Sequence, residues 1–147
     1  LSRGLGYVYK RQEVQQLSKE LDNYITDISQ TLNTPVWYQN DWSNDQVFMI
    51  YQMDVKNPAA YVAEYAVFSQ NMAQKMNVSN SYGVAYPVAG KTDDFSHFVW
   101  VGAPNIETAL SRNKQMLSDA SFAEYAAKVA DVREVVSTLM MVRIMDF

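Results

Sequence analysis

Apolar positions between residues 13 and 32 recur at steps of three and four: Val14, Leu17, Leu21, Tyr24, Ile25, Ile28 and Leu32. That period puts one stripe on a helix and predicts a surface helix with one buried face. Asn33-Thr34-Pro35 should end it, because the residue before proline is pushed out of the helical region. The aromatic and β-branched Val36-Trp37-Tyr38 then predicts a strand, and residues 41–45 a polar turn. Residues 46–53, QVFMIYQM, are apolar on both faces, as in a strand covered by helices on one side and by a second layer on the other.

Further along, Asn57-Pro58 supplies an N-cap with proline at the first helical position. Tyr61, Val62, Tyr65, Phe68, Met72 and Met76 continue the stripe, predicting a helix to Lys75 or Met76. Tyr82 to Val88 alternates like a strand, with Pro87 marking an edge or an end. Residues 89–94 form a hairpin loop, and Phe95 to Val101 is the returning strand. Pro104-Asn105 opens a long helical region broken near residues 118–121, where Ser121 is the expected cap of a second segment. Its stripe is Phe122, Tyr125, Ala126, Val129, Val132 and Val136, and residues 138–147, TLMMVRIMDF, form the last strand. Residues 46–147 thus predict an α+β fold on the ferredoxin-like βαββαβ plan.

The earlier segment, residues 13–45, is helix then strand, the way such a unit ends. DISQTLNTPVWYQND at residues 27–41 and DVREVVSTLMMVRIMD at residues 131–146 share a helix end, a short polar break and an apolar strand. Residues 13–45 are therefore expected to be the remnant of a preceding ferredoxin-like unit, against the alternative of one α+β domain with an N-terminal helical extension. Residues 1–12, LSRGLGYVYKRQ, lead into none of this pattern, and Val8 to Gln12 resembles the translation of a transposon-end sequencing adapter. They are expected to lie outside the native chain, the alternative being a short strand at residues 6–9.

The order of elements, the strand carrying Ser96-His97-Phe98, and the helix from Ser121 to Tyr125 leading to Arg133 and a final strand resemble the dimeric α/β-barrel superfamily. Within it the nearest types are antibiotic-biosynthesis-monooxygenase-like and NIPSNAP-like domains, including environmental proteins with two such units. The resemblance implies a homodimer, or a pseudo-dimer with a preceding repeat, in which one sheet face meets helices and the other a partner sheet or a cavity. It does not select a reaction, since the superfamily spans cofactor-independent oxygenases, haem-degrading enzymes, peroxidases and regulators.

Composition narrows the field. Twelve basic against sixteen acidic side chains give a net charge of −4, and no Lys/Arg cluster supplies the footprint that a phosphate backbone needs, so nucleic acid is not an expected partner. No apolar run reaches the roughly 18 residues of a membrane span, so a soluble chain is expected, in cytoplasm or periplasm. Cysteine is absent, which removes disulfides, thiol nucleophiles and Cys-based metal sites. No phosphate loop or dinucleotide fingerprint is present, and no cofactor is expected.

Two residues carry candidate catalysis. His97 is the single histidine and the one side chain whose ordinary pKa lies near neutrality, so it is the candidate general base; the alternative is a structural role. No second histidine or carboxylate cluster accompanies it, so no metal site is expected, and neither helix offers the histidine a haem enzyme of this superfamily would use. Arg143 is a charge in the otherwise apolar row Leu139, Met141, Met145 and Phe147, so it must pair with a carboxylate or reach solvent or a ligand. Tyr51, Tyr82, Tyr86 and Trp100 are candidate lining for a flat apolar ligand, with core or dimer interface as the alternative. The leading functional reading is a domain that binds a small apolar molecule between sheet and helices. Its rivals are a cofactor-independent monooxygenase using His97 and Arg143 on an aromatic substrate, and a structural pairing module.

Overall fold

Side-chain alternation along residues 47–55 organises the fold. Val47, Met49, Met53 and Val55 are buried on one face of their strand while Asp54 stands in solvent on the other. The computed structural model describes residues 12–17, 19–20, 31–90 and 95–144, and the chain divides into two units, residues 1–30 and 31–147. In the first, residues 12–17 and 19–20 are helical, as the period predicts, but Val14 and Leu17 are exposed. Residues 1–11, with the adapter-like segment, and the stripe positions Leu21, Tyr24, Ile25 and Ile28 lie outside the described residues.

The second unit is α+β. Its elements are β1 (Thr31–Gln39), β2 (Val47–Val55), α1 (Pro58–Lys75), β3 (Tyr82–Gly90), β4 (His97–Ala103), α2 (Ile106–Ser118), α3 (Ala120–Val129) and β5 (Arg133–Val142). They build one antiparallel sheet of five strands in the order β1-β3-β4-β2-β5, compatible with a ferredoxin-like fold. Among the described residues no helix is long and apolar enough to cross a membrane.

Local chemistry sets the helix limits. Asn57 caps α1 by accepting from the Ala60 N–H at 3.2 Å, with Pro58 next to it, and Asn105 caps α2 by accepting from the Thr108 N–H at 2.8 Å. The cap of α3 is Asp119 and not Ser121: its carboxylate accepts from the Ser121 N–H at 2.9 Å and from the Ser121 hydroxyl at 2.6 Å. Hydrogen bonds from Lys75, then from Ser121, hold the Asp119 carboxyl well below the usual carboxylate range.

Strand limits differ more. β1 starts at Thr31, inside the segment expected to be helical, because Leu32 to Gln39 pairs along β3; Pro35, which lacks a ladder donor, sits at a register shift. Pro87 is tolerated for a related reason, since β4 pairs β3 only from Tyr82 to Ala85 and leaves the rest of β3 with a single neighbour. β5 begins at Arg133, five residues before the expected start, because Arg133 to Val135 pair along β2, with Val136 at a register shift, instead of extending α3. The loop residues 91–94 and the end of the last strand, residues 145–147, lie outside the described residues.

Helices α1 and α3 cover one sheet face. Met53, Val55, Val84 and Val99 meet Tyr61, Tyr65, Phe68, Met72, Tyr125 and Val129 there, with Phe68 stacked on Tyr125 at 4.3 Å between centroids. Beside it, Val47, Met49 and Ala103 pack with Ala109 of α2. Alternation puts Phe48, Ile50, Phe98, Trp100, Leu139 and Met141 on the opposite face, where Leu139 and Met141 are exposed.

A buried polar network joins the strand ends. Asp45, fully buried just before β2, accepts from Asn80 Nδ2 at 2.6 Å, the Ser81 N–H at 3.0 Å and the Ser81 hydroxyl at 2.6 Å. Trp100 Nε1 donates to Ser81 Oγ at 3.1 Å, and Arg112 of α2 donates to Asn80 Oδ1 at 2.7 Å. Gly102 is required because a Cβ there would overlap the Asp45 carboxylate. Asp45→Ala would strand three buried donors, each worth about 1–3 kcal/mol, so urea unfolding should show a loss of about 3–5 kcal/mol. Gly102→Ala, an overpacking change, should cost about 1–3 kcal/mol.

Candidate functional site

Between the sheet and the three helices lies a cavity of about 270 Å³. Its apolar walls include Met53, Met72, Met76, Val99 and Phe122, and thioether side chains adapt to irregular ligands. Five tyrosines also line it: Tyr51 from β2, Tyr61 and Tyr65 from α1, Tyr82 from β3 and Tyr125 from α3.

Each tyrosine is placed by its element. Tyr51 faces the helices by strand alternation and donates to Asn113 Oδ1 of α2 at 2.7 Å. Tyr61 and Tyr65 stand one helical turn apart on α1, and Tyr125 O–H donates to Tyr61 Oη at 3.1 Å across the helix pair. Burial pushes the hydroxyls of Tyr51, Tyr61, Tyr65, Tyr82 and Tyr125 above their ordinary value of 10.0. All five are therefore neutral near pH 7, and they offer hydrogen bonds without offering a base.

Arg133 is the charged side chain among the described lining residues. Pairing of Arg133 with Val55 puts it on the edge strand beside the last residue of β2, and its Cζ lies 5.9 Å from the Tyr125 ring centroid. Its Nε is buried without a hydrogen-bond partner. The cavity's chemistry is thus an apolar body with hydroxyls and a guanidinium at one end, an arrangement that binds and orients a guest.

Of the residues singled out from sequence, Tyr51 and Tyr82 line this cavity. Tyr86 and Trp100 do not: Tyr86 is exposed with its ring 5.9 Å from that of His97, and Trp100 lies over Gly83 on the other sheet face, bonded to Ser81. His97 and Arg143 are outside the cavity lining as well. His97 Nδ1 sits 3.0 Å from Ser96 Oγ, and Ser96 Oγ accepts from the Val55 N–H at 2.8 Å. Arg143 donates to the Ser43 carbonyl at 2.8 Å and the Trp42 carbonyl at 2.9 Å, with its Cζ 5.7 Å from the Phe48 ring. These two bonds tie the residue after β5 to the turn before β2.

Tyr61, Tyr65 and Tyr125 had a sequence signal, their place on helical stripes, but that signal reads equally as core. Arg133 had none, since it falls where the helical stripe was expected to continue. The described residues hold no group of three or more metal-ligating side chains. No protein-family model matches the chain, and no curated protein matches it.

Burial pulls the His97 imidazole below its ordinary value of 6.5, with the Asp54 charge opposing. Between the two values the unfolded chain binds more protons than the folded one, so this group withdraws stability as pH falls through that window. The His97 ring signals in NMR should titrate with a midpoint below 6.5, and His97→Gln should flatten the loss of stability between about pH 7 and about pH 5.

Proposed function

We propose that this chain carries a ferredoxin-like βαββαβ domain of the dimeric α/β-barrel type, which binds a small apolar molecule in the cavity between sheet and helices. The observation that carries the proposal is the 270 Å³ space lined by tyrosines, methionines and aliphatic side chains between sheet and helices. Its size falls just below the roughly 300–1,000 Å³ of drug-sized sites, which suits a guest of one or two rings. For the fold, support comes from the last four strands, which lie in the order β3-β4-β2-β5 with helices on the connections from β2 to β3 and from β4 to β5.

Binding is favoured over the monooxygenase reading because the side chains that reading needs, His97 and Arg143, lie outside the cavity lining, beside Ser96 and on the backbone of residues 42–43. Neutral tyrosines within the cavity hold a guest without drawing a proton from it.

The test is titration with the neutral fluorogenic probe N-phenyl-1-naphthylamine. Saturable enhancement is expected, with a rise in melting temperature as the probe exceeds its dissociation constant. Ala73→Leu, which adds bulk at the cavity wall, should weaken the probe by about tenfold or more. Enhancement that does not saturate, or that ignores Ala73→Leu, rejects the binding site.

A second observation favours a pairing role that coexists with binding. On β5, Leu139 and Met141 are exposed on the sheet face away from the helices, and Val135, Val136, Met140 and Val142 are exposed along the same strand. β5 pairs β2 and no other described strand, while the outer side of β3 is taken by β1, the strand whose sequence resembles β5. A second ferredoxin-like unit, supplied by another copy of the chain, would cover this surface. Sedimentation should show a dimer, and the double change Leu139→Glu and Met141→Glu should convert it to a folded monomer; a monomer at the outset rejects the pairing.

A further inference from the structure

We infer that the cavity selects guests with an anionic carboxylate head, of the aryl-carboxylate class, and seats that head against Arg133. The inference rests on the proposed binding of an apolar guest and specifies its polar end. A guanidinium beside apolar walls is costly unless its donors are used, and almost all buried polar atoms in folded proteins have partners. Arg133 meets that rule only in part: its side chain hydrogen-bonds Tyr125 and its guanidinium lies against the Tyr125 ring, while Nε has no hydrogen-bond partner.

The nearby acid does not discharge this demand. Glu64, the carboxylate of α1 whose charge is felt at Tyr125, pairs with Lys128 of α3 at 3.3 Å. The hydroxyls at this end are also donors in excess. One proton of the Tyr61–Tyr125 pair is consumed in their mutual bond, and the other is left for an acceptor. An Arg N–H, a tyrosine O–H and a full positive charge at one end of an apolar cavity make a receptor for an acceptor-only anion. A planar carboxylate meets that description, since its two oxygens take several donors at once and match the guanidinium fork. The stacked and tilted rings of Phe68, Phe122 and Tyr125 suit a flat aromatic body behind it.

The experiment compares 2-naphthoate with its neutral isostere 2-naphthamide by calorimetric titration of the full chain. The expected result is that naphthoate binds about ten- to a hundredfold more tightly than naphthamide, and that Arg133→Met removes this preference. Equal binding of the two by the unsubstituted chain overturns the carboxylate assignment and leaves the apolar-guest reading standing. Failure of both naphthalenes, together with the neutral amine probe, overturns that reading and this inference with it. The comparison on the unsubstituted chain decides the matter even if Arg133→Met does not fold.

Discussion

The buried carboxylate of Asp45 is the constraint on which the rest of this unit depends. A carboxylate removed from water is tolerated only when its lone pairs are filled, and Asn80 and Ser81 fill them from the start of β3. The consequences spread outward from that contact. Ser81 accepts from Trp100 and, through its carbonyl, from the Gly102 N–H at 2.7 Å, which sets β4 against β3. Asn80 accepts from Arg112, which anchors α2 to the same corner, and the next residue on α2, Asn113, holds the Tyr51 hydroxyl in the cavity. Burial lowers the Arg112 pKa from its ordinary value and the Asp45 charge opposes that, so the two ions support each other across Asn80. A turn that looks merely polar therefore positions one wall of the candidate site.

The sheet has two faces with different fates. One is closed by α1 and α3 around stacked aromatic side chains, and the cavity remains where large rings from separate helices meet a β-surface without filling the space between them. The other face carries Phe48, Ile50, Phe98, Trp100, Leu139 and Met141. Gly83 lets the Trp100 ring lie flat there, because any Cβ would collide with both that ring and the Trp37 carbonyl. Apolar content on both faces of β2 and β4 is what a strand needs when helices lie on one side and a second protein layer on the other. The proposed pairing and the proposed binding thus use opposite sides of the same strands.

Arg143 and Arg133 show how one residue type is read from sequence. Both belong to the last apolar strand region, and Arg143 drew attention because the expected strand enclosed it. In the fold its side chain turns to the carbonyls of residues 42–43, a contact across about 100 positions that no local pattern announces. Arg133 was passed over because the helical stripe was extended through Val132 to Val136, yet it is the guanidinium that borders the cavity. His97 likewise had the chemistry of a base but sits where Ser96 and Tyr86 meet it, outside the cavity lining.

The amino-acid sequence by itself determined the succession of elements, the cap at Asn57, the helical stripes that face the sheet and the two-sided apolar strands, because period, capping and proline act through near neighbours. It also carried the likeness of β1 to β5 and named Tyr51 and Tyr82 as candidate lining, without saying which face of their strands turns inward. Tertiary structure alone decided the strand order, the start of β5, the burial of Asp45, the gathering of Tyr61, Tyr65, Tyr125 and Arg133 around one space, and the exclusion of His97 and Arg143 from it. Periodicity says which side of an element is dry. Only the assembled helices and sheet determine which distant side chains share that dry side, and how much room they leave between them.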